Sequence, residues 1–529
     1  MQDFLVIMDI PAIKKYVFAT YKLKEIQGAS IIVDQLNRRG FEEKLTEHLP
    51  ANKVAKIYAN GGSAQFVVTE VDVGSLETAL EKVAEHVTRK TSGMSSLVWG
   101  ISPIKENFQA AMYEAQTNLA LQRDQADQPV SSMHTSFSKE CQSCSRLPAV
   151  TVERDGDWLC SACHTKRDSR DQRIGIWQEF NEFLHNEQYI QNGEQIERPN
   201  DFSEIGQACN NKFMGIVYAD GNAIGRLIRE IDTKERFKDF AEIIDSSIKQ
   251  ACFGALAKVF HHFLVAGEVK IIPADLLLLG GDDLLVALPA DKALAFALLV
   301  SSNFEAMTKA RFHQTEDPFF RDKLSQKGCT ISLGVAVGKA HHPFRVLLSQ
   351  SEDLLQTAKS AGSCDPDGHD FWVPSYIDFH QSAQSHQLSV RRTREIDYSF
   401  KSQSGAGELN FSRTFRPYKV AELGKLYKAA HELKHLNFPS TKLNALYRAA
   451  LQNRSQAMLE TIRVISHCKP EERAAFNTIL ERYGCRQCMP WSADNRTFLT
   501  ELVEFYDLLD ATSVIDLPGQ ELGHDRLSS

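Results

Sequence analysis

The chain has 529 residues, too many for one hydrophobic core, and this length predicts three or four domains. Hydrophobic residues make up 43% and charged residues 24%, the balance of a globular chain rather than a disordered or fibrous one. A formal net charge of −8 excludes a protein that clamps nucleic acid by bulk electrostatics, so nucleic acid is expected to be met through local basic patches or partner subunits.

In chain order, Phe4–Ile10 reads as a buried strand, with helical segments to about His48. Its start, Met1-Gln2-Asp3-Phe4, lacks a basic signal-peptide region, and no apolar run approaches the roughly eighteen residues of a membrane span. A cytoplasmic chain without membrane contact is the expectation. Two short strands follow, Lys56–Ala59 and Gln65–Thr69, joined across Asn60-Gly61-Gly62-Ser63-Ala64. A helix over about Ser75–Lys90, a strand Ser96–Ser102 and a helix over about Ile104–Gln122 complete a β-α-β-β-α-β order, that of ferredoxin-like folds.

Cys141, Cys144, Cys160 and Cys163 form C-x2-C-x15-C-x2-C, a spacing that wraps four thiolates around one structural zinc. Cys485 and Cys488, with only His467 and Cys468 near them in sequence, read as buried thiols. The stretch from the cysteine module to about Lys212 is rich in Asn, Gln and Glu and reads as a linker too polar to build a core.

The first pattern then recurs. Gly215–Asp220 is a strand ending in an acid, helices run to about Val265, and the strand Asp275–Leu279 turns at Gly280-Gly281-Asp282-Asp283 into Leu284–Pro289. A helix over about Asp291–Arg311, the strand Cys329–Val337 and the helix Pro343–Ala361 close the unit. Strand-end acid and turn glycine lie 52 residues apart in the first copy and 60 in the second, a divergent repeat expected to pack as a pseudo-symmetric pair. Beyond about Arg391, the runs Val420–Leu433, Lys442–Val464 and Glu471–Tyr483 have helical apolar spacing without strand alternation, so a helical domain is expected over about 410–515, with a frayed tail after Pro518. The predicted class is α+β: a first ferredoxin-like palm over 1–128, a zinc module and linker over 129–212, a second palm over 213–390 and a C-terminal helical domain over 391–529.

In a ferredoxin-like sheet the end of the first strand and the central hairpin turn are adjacent, because those strands pair, so Asp220 converges with Asp282 and Asp283. Phosphoryl transfer needs one or two magnesium ions on hard oxygen ligands, and adjacent carboxylates need a cation to stay charged. The three acids are the expected catalytic residues and ligands of Mg2+ or Mn2+. Gly280 and Gly281 give a tight turn that phosphate can approach. Asp220-Gly221-Asn222-Ala223-Ile224-Gly225 leaves the strand through small residues whose amides can meet phosphate oxygens. Lys359, in Thr357-Ala-Lys-Ser-Ala-Gly362, either reaches the triphosphate or is a solvated helix-end lysine. The pairs His261-His262 and His341-His342 lack carboxylates at ligand spacing and read as surface or core histidines, and His369-Asp370 is isolated.

These residues carry a resemblance. The second palm resembles nucleotide cyclases of the GGDEF type, in which an acid ends the first strand, Gly-Gly-acid-acid makes the hairpin and Ala-Lys-x-x-Gly closes a helix. More widely, Asp9-Ile-Pro-Ala-Ile13, Ile26-Gln-Gly-Ala-Ser30, the four-cysteine insert, Asp220–Gly225 and Gly280–Asp283 stand in the order of the large polymerase-like subunit of type III CRISPR effector complexes, over residues 1 to about 380. The resemblance implies conversion of ATP to linear or cyclic oligoadenylate, switched on when partner subunits bearing a guide RNA capture target RNA. It implies Asp283 as the main metal ligand, and a helical end that contacts small helical subunits. Two departures matter. Family members often have an acid where this chain has Asn222, and many begin with an HD nuclease domain, for which a palm starting at residue 3 leaves no counterpart, so no DNA cleavage of that kind is expected. The alternatives are a stand-alone cyclic dinucleotide synthase, for which a homo-oligomer is the expected form, and a non-catalytic palm-fold scaffold in an RNA-guided complex. The first palm has Asp9 in the place of Asp220 but Gly61-Gly62-Ser63-Ala64 where the second reads Gly-Gly-Asp-Asp, and it is expected to be silent. Asp9 is expected either to hold an acceptor nucleotide or to be satisfied by local backbone amides.

Overall fold

The computed structural model describes residues 2–105, 107–125, 137–170, 172, 175–191, 194–265, 271–382, 389–404, 407–485 and 489–509. Cys488 and the tail after Pro518 lie outside them.

The first palm is a four-stranded antiparallel sheet of β1 (Gln2–Asp9), β2 (Val54–Asn60), β3 (Ser63–Val71) and β4 (Val98–Pro103), in the order β2-β3-β1-β4. Helix Val73–Lys90 opens on Asp72, whose carboxylate accepts the amide of Ser75 at 2.9 Å. Residues along β1 alternate between two apolar layers. Phe4, Val6 and Met8 pack with the helices over 41–48 and 73–90, whereas Leu5 and Ile7 pack with helix Phe108–Gln125. A strand buried on both faces reads as an unbroken apolar run, which is why Phe4–Ile10 was recognisable.

After the small hairpin β5 (Thr151–Val152) and β6 (Trp158–Leu159), the second palm repeats the order with β7 (Phe213–Gly221), β8 (Asp275–Gly280), β9 (Asp283–Pro289) and β10 (Ile331–Lys339). Its sheet runs β14-β11-β10-β7-β9-β8, because β11 (Tyr376–Gln381) adds in parallel to β10 and β14 (Tyr418–Lys419) extends the edge. The repeat holds in register. Ile7 faces Gly100 and Tyr218 faces Gly334, each two residues before the strand-end acid. A Cβ on Gly100 would lie 1.9 Å from the carbonyl of Ala115, and one on Gly334 would lie 2.2 Å from that of Ser351, so both glycines admit the closing helix of their palm. Ala12 and Ala223, each three residues past the acid, both take a left-handed backbone, with φ of 52° and 60°.

The palms share an apolar core. Tyr16, Ile26, Ala29 and Val33 of the first pack in one layer with Ile216, Tyr218 and Leu285 of the second. The contacts are reciprocal: the rings of Phe18 and Phe344 meet at a tilt with centroids 5.7 Å apart and Arg345 donates to the carbonyl of Ala19 at 2.7 Å, while Gln109 donates to the carbonyl of Arg229 at 2.5 Å.

Two expectations need correction. The stretch before Lys212 is not a coreless linker. It forms helices Ser161–Ser169, Ile176–Asn186 and Phe202–Gln207, and Trp177, Phe180 and Leu184 are buried against helix Lys234–Val259. These three lie at helical spacing along one face, and the surrounding polar residues form the other. The C-terminal region is not purely helical either. It contains the hairpin β12 (Ser399–Ser404) and β13 (Gly407–Ser412), whose Phe400 and Phe411 stack at 5.0 Å beside Trp491. The run Lys442–Val464 is two helices, Ser440–Gln452 and Arg454–Ser466, broken at Asn453, which caps the second through the amide of Gln456.

The segment Ile26–Ser30 sits where the first palm meets the cysteine module. Gln27 donates to the carbonyl of Pro199 at 2.9 Å and to the buried Asp275 at 2.6 Å. A Cβ on Gly28 would fall 1.5 Å from the backbone oxygen of Lys166, so helix Leu23–Gln35 and helix Ser161–Ser169 touch main chain to main chain. Gly28→Val is expected to separate them and cost about 3 kcal/mol. A thermal melt against the parent checks it.

Candidate active site

The hairpin between β8 and β9 sets the site. Gly280 pairs with Asp283, and Gly281 turns with φ of 64°. β7 pairs with β9 up to Ala219 opposite Leu284, so one further step brings Asp220 beside Asp283. The three predicted acids therefore converge. Lys359, near the end of helix Phe344–Ser363, is not a solvated end: it forms an ion pair with Asp220 and donates to the carbonyl of Gly221 at 3.0 Å.

Sequence reasoning missed Lys14. This residue of the first palm lies 3.7 Å from Asp283 and 4.5 Å over the ring of Tyr218. Its signal was its place directly after the Asp9–Ile13 segment, but what it reaches is set by palm packing. Each of two acids thus faces a lysine, one from each palm.

The electrostatics follow. Burial and then the neighbouring Asp283 push the Asp282 carboxyl up to about 6. Burial raises Asp283 as well, opposed by the ammonium of Lys14. Burial and then Lys14 bring Lys359 down to about 8. Acids crowded in this way gain from a divalent cation, and their oxygen donors suit magnesium or manganese.

A stability prediction follows from Asp282. Its folded pKa lies above the unfolded value, so the folded chain binds more protons and stability falls as pH rises from about 4 through about 6. Asp282→Asn removes this penalty. The metal-free variant is expected to melt higher than the parent at pH 7–8, with the gain gone below about pH 4, as thermal scans across pH will show.

Other predicted residues sit differently. Asn222 is buried, and its amide donates to the Thr330 hydroxyl at 3.1 Å, so here it ties β7 to β10. A Cβ on Gly225 would meet open space, so packing does not demand glycine there. In the first palm Asn60 pairs with Ser63, and Asp9 also pairs with Ser63. The counterparts of Asp282 and Asp283 are therefore Gly62 and Ser63, one residue earlier than the glycine pairs alone suggest. Asp9 is ion-paired with Arg123, at 2.8 Å.

Cys141, Cys144, Cys160 and Cys163 are buried with their sulfurs within 4.8 Å of one another. Zinc–sulfur bonds of about 2.3 Å in a tetrahedron put sulfurs about 3.8 Å apart, and Cys144 and Cys160 are 3.8 Å apart. The donor set fits a closed zinc site. The histidine pairs join no such cluster among the described residues. The module is tied to the first palm by Thr20 to Ser143 at 2.6 Å and by Arg167 to the buried Glu25.

This is a mixed α+β protein, part of which matches a palm domain. Residues 213–365 match the family model of Cas10/Cmr2, second palm domain. No curated protein matches the sequence. Among solved structures, Csm1 of T. onnurineus is similar at 12% identity and a TM-score of 0.55, covering 96% of this chain and 70% of its own. A Csm1–Csm4 cassette in complex with cA4 is similar at 11% identity and a TM-score of 0.54, with the same coverages, 96% and 70%. The cassette in complex with AMPPNP is similar at 12% identity and 0.52, again covering 96% and 70%. Of a further solved Csm1–Csm4 subcomplex the chain spans 54%. At such identities the likeness is one of fold. Among the described residues, no helix is long and apolar enough to cross a membrane.

Proposed function

We propose that the chain is a nucleotidyltransferase that joins ATP into linear or cyclic oligoadenylate in the second palm, as an RNA-activated subunit of a type III CRISPR-like complex. The observation that carries this reading is the convergence of Asp220 and Asp283, each answered by a lysine. Support for the substrate comes from relatives of the same fold that were solved with AMPPNP, with cA4 and with pppApApA, and support for assembly from their pairing with Csm4.

Asp220, Asp282 and Asp283 would hold one or two magnesium or manganese ions, which when bound neutralise phosphate charge and lower the pKa of an attacking hydroxyl. Lys359 and Lys14 give up their carboxylates and turn to the triphosphate, whose charge suits ammonium groups. Gly221, Asn222 and Gly225 border the site on the strand exit, and Gly280 and Gly281 on the turn. The cysteine cluster holds structural zinc, and the units at 1–128, 129–212, 213–390 and 391–529 divide these tasks. The first palm is silent as a metal site: Gly62 and Ser63 offer one neutral oxygen where the second palm offers two carboxylates. Asp9→Ala is accordingly expected to leave divalent-ion binding unchanged, as a manganese titration will read.

The test is purified protein with labelled ATP or GTP and Mg2+ or Mn2+, with and without RNA, products identified by mass. Adenylate oligomers support the reading. Dinucleotides from GTP without RNA favour a stand-alone cyclase, and no product under any condition leaves a scaffold.

A further inference from the structure

Resting on that nucleotidyltransferase reading, we infer that Asp245 is a positioning residue that clamps the hairpins of the two palms together and so sets the place of Asp282 and Asp283. Asp245 lies on helix Lys234–Val259 of the second palm, outside every motif of the sequence. One of its oxygens, Oδ1, accepts two bonds, from the backbone amide of Gly281 at 3.2 Å and from the side-chain amide of Asn60 in the first palm. Its other oxygen faces Lys249 at 3.0 Å.

The partner residue is equally committed. The Asn60 side-chain oxygen Oδ1 accepts the backbone amide of Gly61 at 2.7 Å. The pair Asn60–Asp245 therefore satisfies the tip amide of both hairpins at once, groups that a turn leaves without a ladder partner. The contact is close: a Cβ on Gly280 would lie 2.0 Å from the Asn60 side-chain oxygen, and one on Gly281 would lie 2.9 Å from the Tyr58 hydroxyl. Gly280 and Gly281 thus lie directly against side chains of the other palm.

The clamp is braced from behind. Lys249 also meets Glu179 at 3.4 Å, and Glu179 is ion-paired with Arg38 of the first palm. Asp245 is held on one side by this chain of charges and on the other presses on the residue preceding Asp282. A shift of about 1 Å in a reacting geometry costs up to about a hundredfold in rate, so the clamp acts on turnover rather than on nucleotide affinity.

The experiment compares the parent with Asp245→Ala, Asp245→Asn, Asn60→Asp and the swap Asn60→Asp/Asp245→Asn in the full chain. It reads kcat and KM for ATP, thermal melting, and hydrogen exchange of the peptide covering 276–283. Expected for Asp245→Ala are faster exchange at that peptide and a kcat lower by about tenfold to a hundredfold with KM unchanged; Asp245→Asn, which keeps the shape and one acceptor, falls between. Asn60→Asp sets two carboxylates against each other and is the most impaired, and the swap recovers much of the loss by restoring a donor opposite an acceptor. Parent-like exchange in Asp245→Ala, or a swap no better than Asn60→Asp alone, overturns the clamp. Should the parent itself make no product, the nucleotidyltransferase reading fails while exchange and the melting of the swap still decide the clamp.

Discussion

Replacing Asp282 and Asp283 together by alanine is expected to lower nucleotide turnover by about a thousandfold or more while the fold and its zinc remain. The magnitude follows from the site. A bound divalent ion contributes several kcal/mol to stabilising a phosphoryl transition state, and each 1.4 kcal/mol or so is tenfold in rate. Asp220→Ala should be nearly as severe, since it leaves the ion poorly held. The melting temperature is expected to move the other way. The pair repels itself in the metal-free protein, and burial raises both carboxyls, so its removal relieves strain instead of opening a core. Full turnover in the double variant would end the assignment. Loss of turnover together with a lower melting temperature would point to a structural role for the pair.

The second large effect is expected at the cysteines. The protein should carry one equivalent of zinc, and Cys144→Ser should lose it with a stability cost of about 3 kcal/mol or more. The reason lies in what surrounds the sulfurs. Cys141, Cys144, Cys160 and Cys163 are themselves most of a small buried cluster that includes Leu159 and Ala162. Without the ion that cluster has too little apolar surface to order the module, and the ties from Arg167 to Glu25 and from Thr20 to Ser143 lose their support. Metal analysis and a melt, with and without a chelator, check this. Less than half an equivalent, or iron in place of zinc, would contradict it.

Much of both palms was legible because their central strands are buried on two faces. Met214, Ile216 and Tyr218 face the layer shared with the first palm, and Val217 and Ala219 face helices of their own palm, so the sequence shows a continuous apolar run ending in an acid. The hairpin showed through Gly280-Gly281, of which Gly281 takes a positive φ. What stayed hidden depends on contacts between distant segments. Lys14 and Asp245 have ordinary local surroundings and gain their places only when the palms pack. The offset between Gly61-Gly62 and Gly280-Gly281 had the same origin: glycines were matched by identity, whereas strand pairing matches Ser63 with Asp283. Trp177, Phe180 and Leu184 were at helical spacing, yet the Asn, Gln and Glu between them pointed to a linker. The hairpin of β12 and β13 escaped because its alternation is mostly polar, with Phe400 and Phe411 as its cross-strand aromatic pair.

The central claim is that Asp220, Asp282 and Asp283 form one divalent-ion and nucleotide site. The most direct measurement is electron paramagnetic resonance of Mn2+ titrated into the protein with a non-hydrolysable ATP analogue. Tight, nucleotide-dependent manganese binding is expected in the parent, retained in Asp9→Ala and lost in Asp220→Ala and in the Asp282→Ala/Asp283→Ala double variant. Manganese bound equally well by the parent and the double variant would contradict it.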